Sequence, residues 1–132
     1  LNGTDLAGAN LSAIDALNAD LSGAILTGAY LTHARLVKAN LTGASLSGAD
    51  LRRAVIEYSD LRGASLDAAD LADATLLGSD LTGADLRGAN LAGAILTHAR
   101  IDAVNWQGAY LGRARWIDGR RCQAGSIGEC RQ

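Results

Sequence analysis

The sequence predicts an all-β repeat solenoid. Two observations carry this reading. A large apolar residue recurs at every fifth position from Leu1 to Trp116 except at Ala16, and the residue two before it is nearly always small. A five-residue period fits neither the 3.6-residue helix nor the two-residue strand, so it demands a repeat architecture. The stretch Leu81-Thr-Gly-Ala-Asp-Leu86-Arg-Gly-Ala-Asn-Leu91 shows the unit plainly. A helical alternative draws on the many Ala and Leu, which are good helix formers. Sixteen glycines at regular spacing and the missing 3.6 periodicity argue against it.

Of the 24 apolar centres, 19 are Leu, the others being Ala16, Ile56, Ile101, Trp106 and Trp116; such uniformity calls for one identical environment per unit. Eighteen of the 23 small positions from 4 to 114 are Ala, so a narrow interior pairs one large side chain with one small one. The exceptions are Thr4, Ile14, Ser59, Ser79 and Val104. Ile14 beside Ala16 is an exchange of sizes that nearly keeps the core volume.

This unit closely resembles the pentapeptide-repeat family, written A(D/N)LXX, over residues 1–118. The resemblance implies a right-handed quadrilateral parallel β-helix, with one unit per side and 20 residues per coil, hence about six coils. Coils spaced like strands, at about 4.8 Å, give a rod roughly 29 Å long. Residues 119–132 break the period and read as a C-terminal capping tail. A solenoid must cover its last coil, and Trp106 and Trp116 are read as part of that cap. Stacking of a ligand between the two Trp is the sharper alternative.

The tail Cys122-Gln-Ala-Gly-Ser-Ile-Gly-Glu-Cys130 resembles the C-terminal ends of cyanobacterial and thylakoid-lumen members of the family. There a C…SIG.C segment closes the helix. Cys122 and Cys130 are the only cysteines. A disulfide between them would stabilise by about 2–3 kcal/mol and would favour a thylakoid lumen or periplasm over the cytoplasm. Free buried thiols and a partial metal site are the rival readings, though two Cys fall short of four zinc ligands.

Composition bounds function more by exclusion. The chain has 132 residues, 14 acidic and 12 basic, for a formal charge of −2, so it carries no basic stripe for direct nucleic-acid binding. No apolar run is long enough to span a membrane. The lack of Met and a start inside the repeat register read as a fragment, a processed form or a trimmed chain. Residues 1–90 hold 11 acidic and 6 basic residues, net −5, while 91–132 hold 3 and 6, net +3. The rod is thus expected to have an acidic body and a basic end.

No catalytic residues, metal site, cofactor or small-molecule substrate emerge. His33 and His98 both lie in Thr-His-Ala-Arg segments. In a 20-residue coil they fall on different corners, about 15 Å apart along the axis. His33 stacks with Arg53 and Asp73, and His98 with Lys38, Tyr58 and Gly78. The Asp and Asn columns suit hydrogen bonding to turn backbone better than cation binding. The Thr residues scatter over several columns and form no ice-binding ladder.

One side differs from the other three. Around the centres Ala16, Leu36, Ile56, Leu76, Leu96 and Trp116, the outward positions include Leu17, Val37, Val55, Leu77, Ile95 and Ile117. These are expected to form an exposed apolar wall, and such patches mark interfaces. The plainer readings are that β-branched residues simply suit strands, or that a helix elsewhere in a longer chain covers the wall. The expected function is a non-catalytic structural and protein-interaction module, with another protein or a second copy as partner. The alternative is a DNA-mimicking gyrase-binding protein of the quinolone-resistance type. The resemblance implies that such mimics are strongly acidic, Phe-centred dimers, whereas this chain has no Phe and a net charge of only −2.

Overall fold

In the computed structural model, which describes residues 1–132, every pentapeptide folds the same way. In the unit from Leu81, Ala84 N–H donates to Leu81 O at 2.8 Å and closes a tight turn. Gly83 sits inside that turn at φ +70°. A turn with positive φ at its third residue is of type II, the position where Gly pays no steric penalty. The next residue, Asp85, is extended and bridges in parallel to Ser65 on one side and Asn105 on the other. The five-residue period is therefore a turn of four residues plus one bridging residue.

Parallel bridges run from Asp5↔Ile25 to Ile95↔Arg115, always 20 residues apart. Four pentapeptides thus complete one circuit, and the backbone of each circuit bonds to the next. On one side Leu26 N donates to Ser45 O at 2.7 Å, Gly28 N to Ser47 O at 2.9 Å, and Ser45 N to Ala24 O at 2.9 Å. These bonds replace the intra-helix ladder that Ala and Leu would otherwise favour.

The centres and their small companions form one continuous core of 34 buried residues. Leu26 and Ala24 are fully buried, as are their counterparts along the rod. Leu6, Leu11, Ile14, Ala16 and Ala19, in the first of the circuits described, are only partly buried. The exchanged pair Ile14 and Ala16 both pack against the core.

Ser59 and Ser79 take the small position without cost to hydrogen bonding. Both are buried. The Ser59 hydroxyl donates to Leu36 O at 2.5 Å and accepts from Ala39 N at 3.1 Å. The Ser79 hydroxyl donates to Ile56 O and accepts from Ser59 N at 3.0 Å. The two hydroxyls are therefore spliced into the backbone ladder, which is how a buried polar group avoids its desolvation penalty.

The tail runs back along the last circuit. Tyr110 bridges antiparallel to Ile127, and Arg115 to Arg121. Leu111 N donates to Ser126 O, Arg113 N to Cys122 O and Gly128 N to Ala109 O. Cys122 and Cys130 are disulfide-bonded with Cα atoms 5.0 Å apart. Trp106 and Trp116 are half-buried and pack against the core.

Candidate functional site

The distinctive wall is built by one bridge column and its neighbours. Asp15, Arg35, Val55, Thr75, Ile95 and Arg115 are joined by successive parallel bridges. Two residues further on in each circuit, Leu17, Val37, Glu57, Leu77, Thr97 and Ile117 form the second column. The repeat places both columns on one flat side, because each pentapeptide points its centre inward and the residues flanking that centre outward.

Val55 and Ile95 fall in the first column and Leu17, Val37, Leu77 and Ile117 in the second, and most are less exposed than expected. Leu17 is 50% exposed. Val37, Val55, Leu77 and Ile95 are half-buried, and Ile117 is half-buried and packs against the core. The physical reason is the strand-like stacking of about 4.8 Å: each branched side chain is shielded by the ones above and below it. The wall is a smooth ridge rather than a set of free side chains. Tyr58, which the sequence placed in one column with Gly78 and His98, is exposed at the adjoining corner. Its ring lies across the corner at Gly78, where an added Cβ would come within 2.7 Å of the ring carbons.

The other sides are mainly polar, with Ile25, Tyr30 and Tyr110 as scattered exposed apolar residues. Asp50, Asp60 and Asp85 each accept from the backbone N–H two residues on, capping the turn. Each also pairs with the Arg at that position, at 2.6 Å for Arg52–Asp50, 2.5 Å for Arg62–Asp60 and 2.6 Å for Arg87–Asp85. The Arg side-chain hydrogen bond is the largest cause holding these three carboxyls below the usual Asp range. The Asp residues thus serve the turns, as the sequence suggested.

His33 and His98 are both exposed and lie on separate corners. His33 lines an open groove of about 390 Å³ with Thr32, Arg52, Arg53, Ala72 and Asp73. Within it Arg52 is engaged by Asp50 and lies 4.0 Å from Asp70. No group of three His, Cys, Asp or Glu side chains is placed to hold a metal ion. No helix is long and apolar enough to cross a membrane.

The family of pentapeptide repeats, in eight copies, matches residues 1–36, 34–71 and 64–102. The chain belongs to the pentapeptide-repeat family. Its fold is accordingly the right-handed β-helix solenoid of that family. Among solved structures it is similar to HetL, a pentapeptide repeat protein involved in heterocyst differentiation regulation in the cyanobacterium Nostoc sp. PCC 7120. The identity is 33%, over 92% of this chain and 63% of HetL, with a TM-score of 0.42. The chain therefore spans less than two thirds of HetL. A pentapeptide repeat protein of the Arabidopsis thaliana thylakoid lumen matches at 25% identity over 98% of this chain and 85% of its own, with a TM-score of 0.41. QnrB1, a plasmid-mediated fluoroquinolone resistance protein, matches at 20% identity over 89% of this chain and 72% of its own, with a TM-score of 0.50. That last likeness extends to the fold alone. No curated protein matched the chain.

Proposed function

We propose that this pentapeptide-repeat protein is a non-catalytic structural and protein-interaction module. Residues 1–118 form a rigid rod of six coils, and residues 119–132 cap its last coil. The wall of Leu17, Val37, Val55, Leu77, Ile95 and Ile117 is the partner face. The observation that carries this reading is the asymmetry of the rod. The other three sides are mostly Asp, Asn, Ser, Thr and Arg, several of them bonded to their own turns, with Ile25, Tyr30 and Tyr110 as scattered exposed apolar residues, while one side carries a stacked apolar column alongside Asp15, Arg35, Glu57 and Arg115. An apolar face of this kind gains free energy by being covered. The Cys122–Cys130 disulfide supports residence in an oxidising compartment, and the likeness to a thylakoid-lumen protein agrees with it.

Photo-crosslinking tests the reading. A benzoylphenylalanine probe is placed at position 37 or 77 on the wall, and at position 42 or 67 on two polar sides, in the source organism. Crosslinks to a protein from the wall positions alone are expected. Equal yields from every side, or none, overturn the proposal.

A further inference from the structure

Charge along the wall points to what covers it. Its bridge column begins at Asp15 and ends at Arg115, five bridges away. The same sense of charge runs through the whole rod, from net −5 over residues 1–90 to net +3 over 91–132. A surface whose two ends carry opposite charge is complementary to itself when one copy is turned end for end. From this we propose that two copies of the chain pair face to face through this wall, with their rods antiparallel. The inference rests on the interaction-module reading and names its partner.

The alignment is specific enough to enumerate. A two-fold axis across the middle of the wall sets Asp15 of one copy against Arg115 of the other, and Leu17 against Ile117. It sets Val55 against Thr75 and Val37 against Thr97. Two pairs are mismatched. Arg35 faces Ile95, and Glu57 faces Leu77. Arg35 and Asp15 of the same chain are paired at 3.0 Å, which partly neutralises both, so Asp15 meets the partner's Arg115 as an already bridged carboxylate. The parallel alternative is worse. It sets each column against the other column at the same level, so that Asp15 meets Leu17, Arg35 meets Val37, Glu57 meets Val55 and Arg115 meets Ile117. Four distinct pairings then set a charge against an apolar residue instead of two, and the acidic bodies lie side by side. Unpaired charges in an interface are the costly element.

The strength is bounded by size. A wall roughly 29 Å long and one pentapeptide wide is well below the ~800 Å² per partner of a standard interface. The pair is therefore reversible, with a dissociation constant on the order of tens to hundreds of micromolar.

Sedimentation of the full chain between micromolar and millimolar concentration tests this. The wild type is expected to shift from monomer to dimer, and Leu77→Lys to remain monomeric. D15R and R115D should each weaken pairing at least tenfold in low salt, while the D15R/R115D double variant recovers to within about threefold of wild type. Glu57→Leu should tighten it. A wild type that stays monomeric at millimolar concentration, or a double variant no better than either single one, overturns the antiparallel dimer. If photo-crosslinks from positions 37 and 77 still capture another protein, the interaction-module reading stands and only this inference falls.

Discussion

The Trp106 and Trp116 indoles lie with ring centroids 5.3 Å apart and planes tilted by 53°. They are consecutive aromatic centres on neighbouring but one sides of the last circuit, and both pack against the core. The tail that bonds to residues 109–115 runs beside them, and its ends are tied by the Cys122–Cys130 disulfide. The indole pair therefore reports on whether the tail is in place.

Reduction should loosen that arrangement. In the loop-entropy model a bridge over so short a loop stabilises by about 2–3 kcal/mol. Cys122→Ser with Cys130→Ser is expected to lower the melting temperature by several degrees and shift Trp emission to the red. Thermal unfolding followed by fluorescence, with and without dithiothreitol, checks this. Identical curves would show that the bridge contributes nothing.

The turn corner should respond to backbone conformation alone. Ala68 sits at φ +55°, where a Cβ costs roughly 1–2 kcal/mol. Gly also widens the unfolded ensemble, which offsets part of that relief. Ala68→Gly should therefore stabilise by roughly 0.5–1 kcal/mol net. Gly63, at φ +65° with open space around it, makes the converse test. Gly63→Val should destabilise by about 1–3 kcal/mol through strain. Denaturant unfolding of both variants measures the two signs.

The buried serines predict an asymmetry. Ser79→Ala frees Ile56 O to accept from Ser59 N, the bond that other units make, so stability should change by less than about 1 kcal/mol. Ser79→Val adds volume to a packed site and loses the hydroxyl, and should cost about 1–3 kcal/mol. Equal losses for both would contradict the ladder described above.

Acid should weaken the fold. The carboxyls of Asp50, Asp60 and Asp85 are held below their usual range by their Arg partners and turn N–H groups. A depressed folded-state pKa contributes stability that is fully present above the unfolded value of about 3.9 and is lost as pH falls through the folded value. Melting temperature should thus be flat near neutrality and decline below about pH 4. Asp60→Asn keeps a turn-capping oxygen but not the ion pair, and should flatten that decline. An unchanged acid slope in this variant would mean that Asp60 titrates as a free carboxylate.

Much of this was legible because a solenoid makes local sequence periodic. The fifth-position Leu located the core, the Asp and Asn before it located the turn caps, and a step of 20 located the stacked neighbours of His33 and His98. What the period could not supply was side-chain shielding. Val37 and Leu77 read as exposed because alternation says only which way a residue points. The stacking distance decides how much of it water reaches. The same repeat step set Tyr58 over Gly78, but that its ring lies across this corner depends on a side-chain conformation.

The sequence by itself determined the repeat unit, the content of the core and the side on which the apolar wall stands, since each follows from a strict register and the sizes of side chains. Only the tertiary structure decided how the tail folds back on residues 109–115, how Ser59 and Ser79 enter the ladder, and how far the wall is hidden. Those depend on distances between circuits 20 residues apart, where backbone bonding and side-chain stacking, rather than local preference, set the outcome.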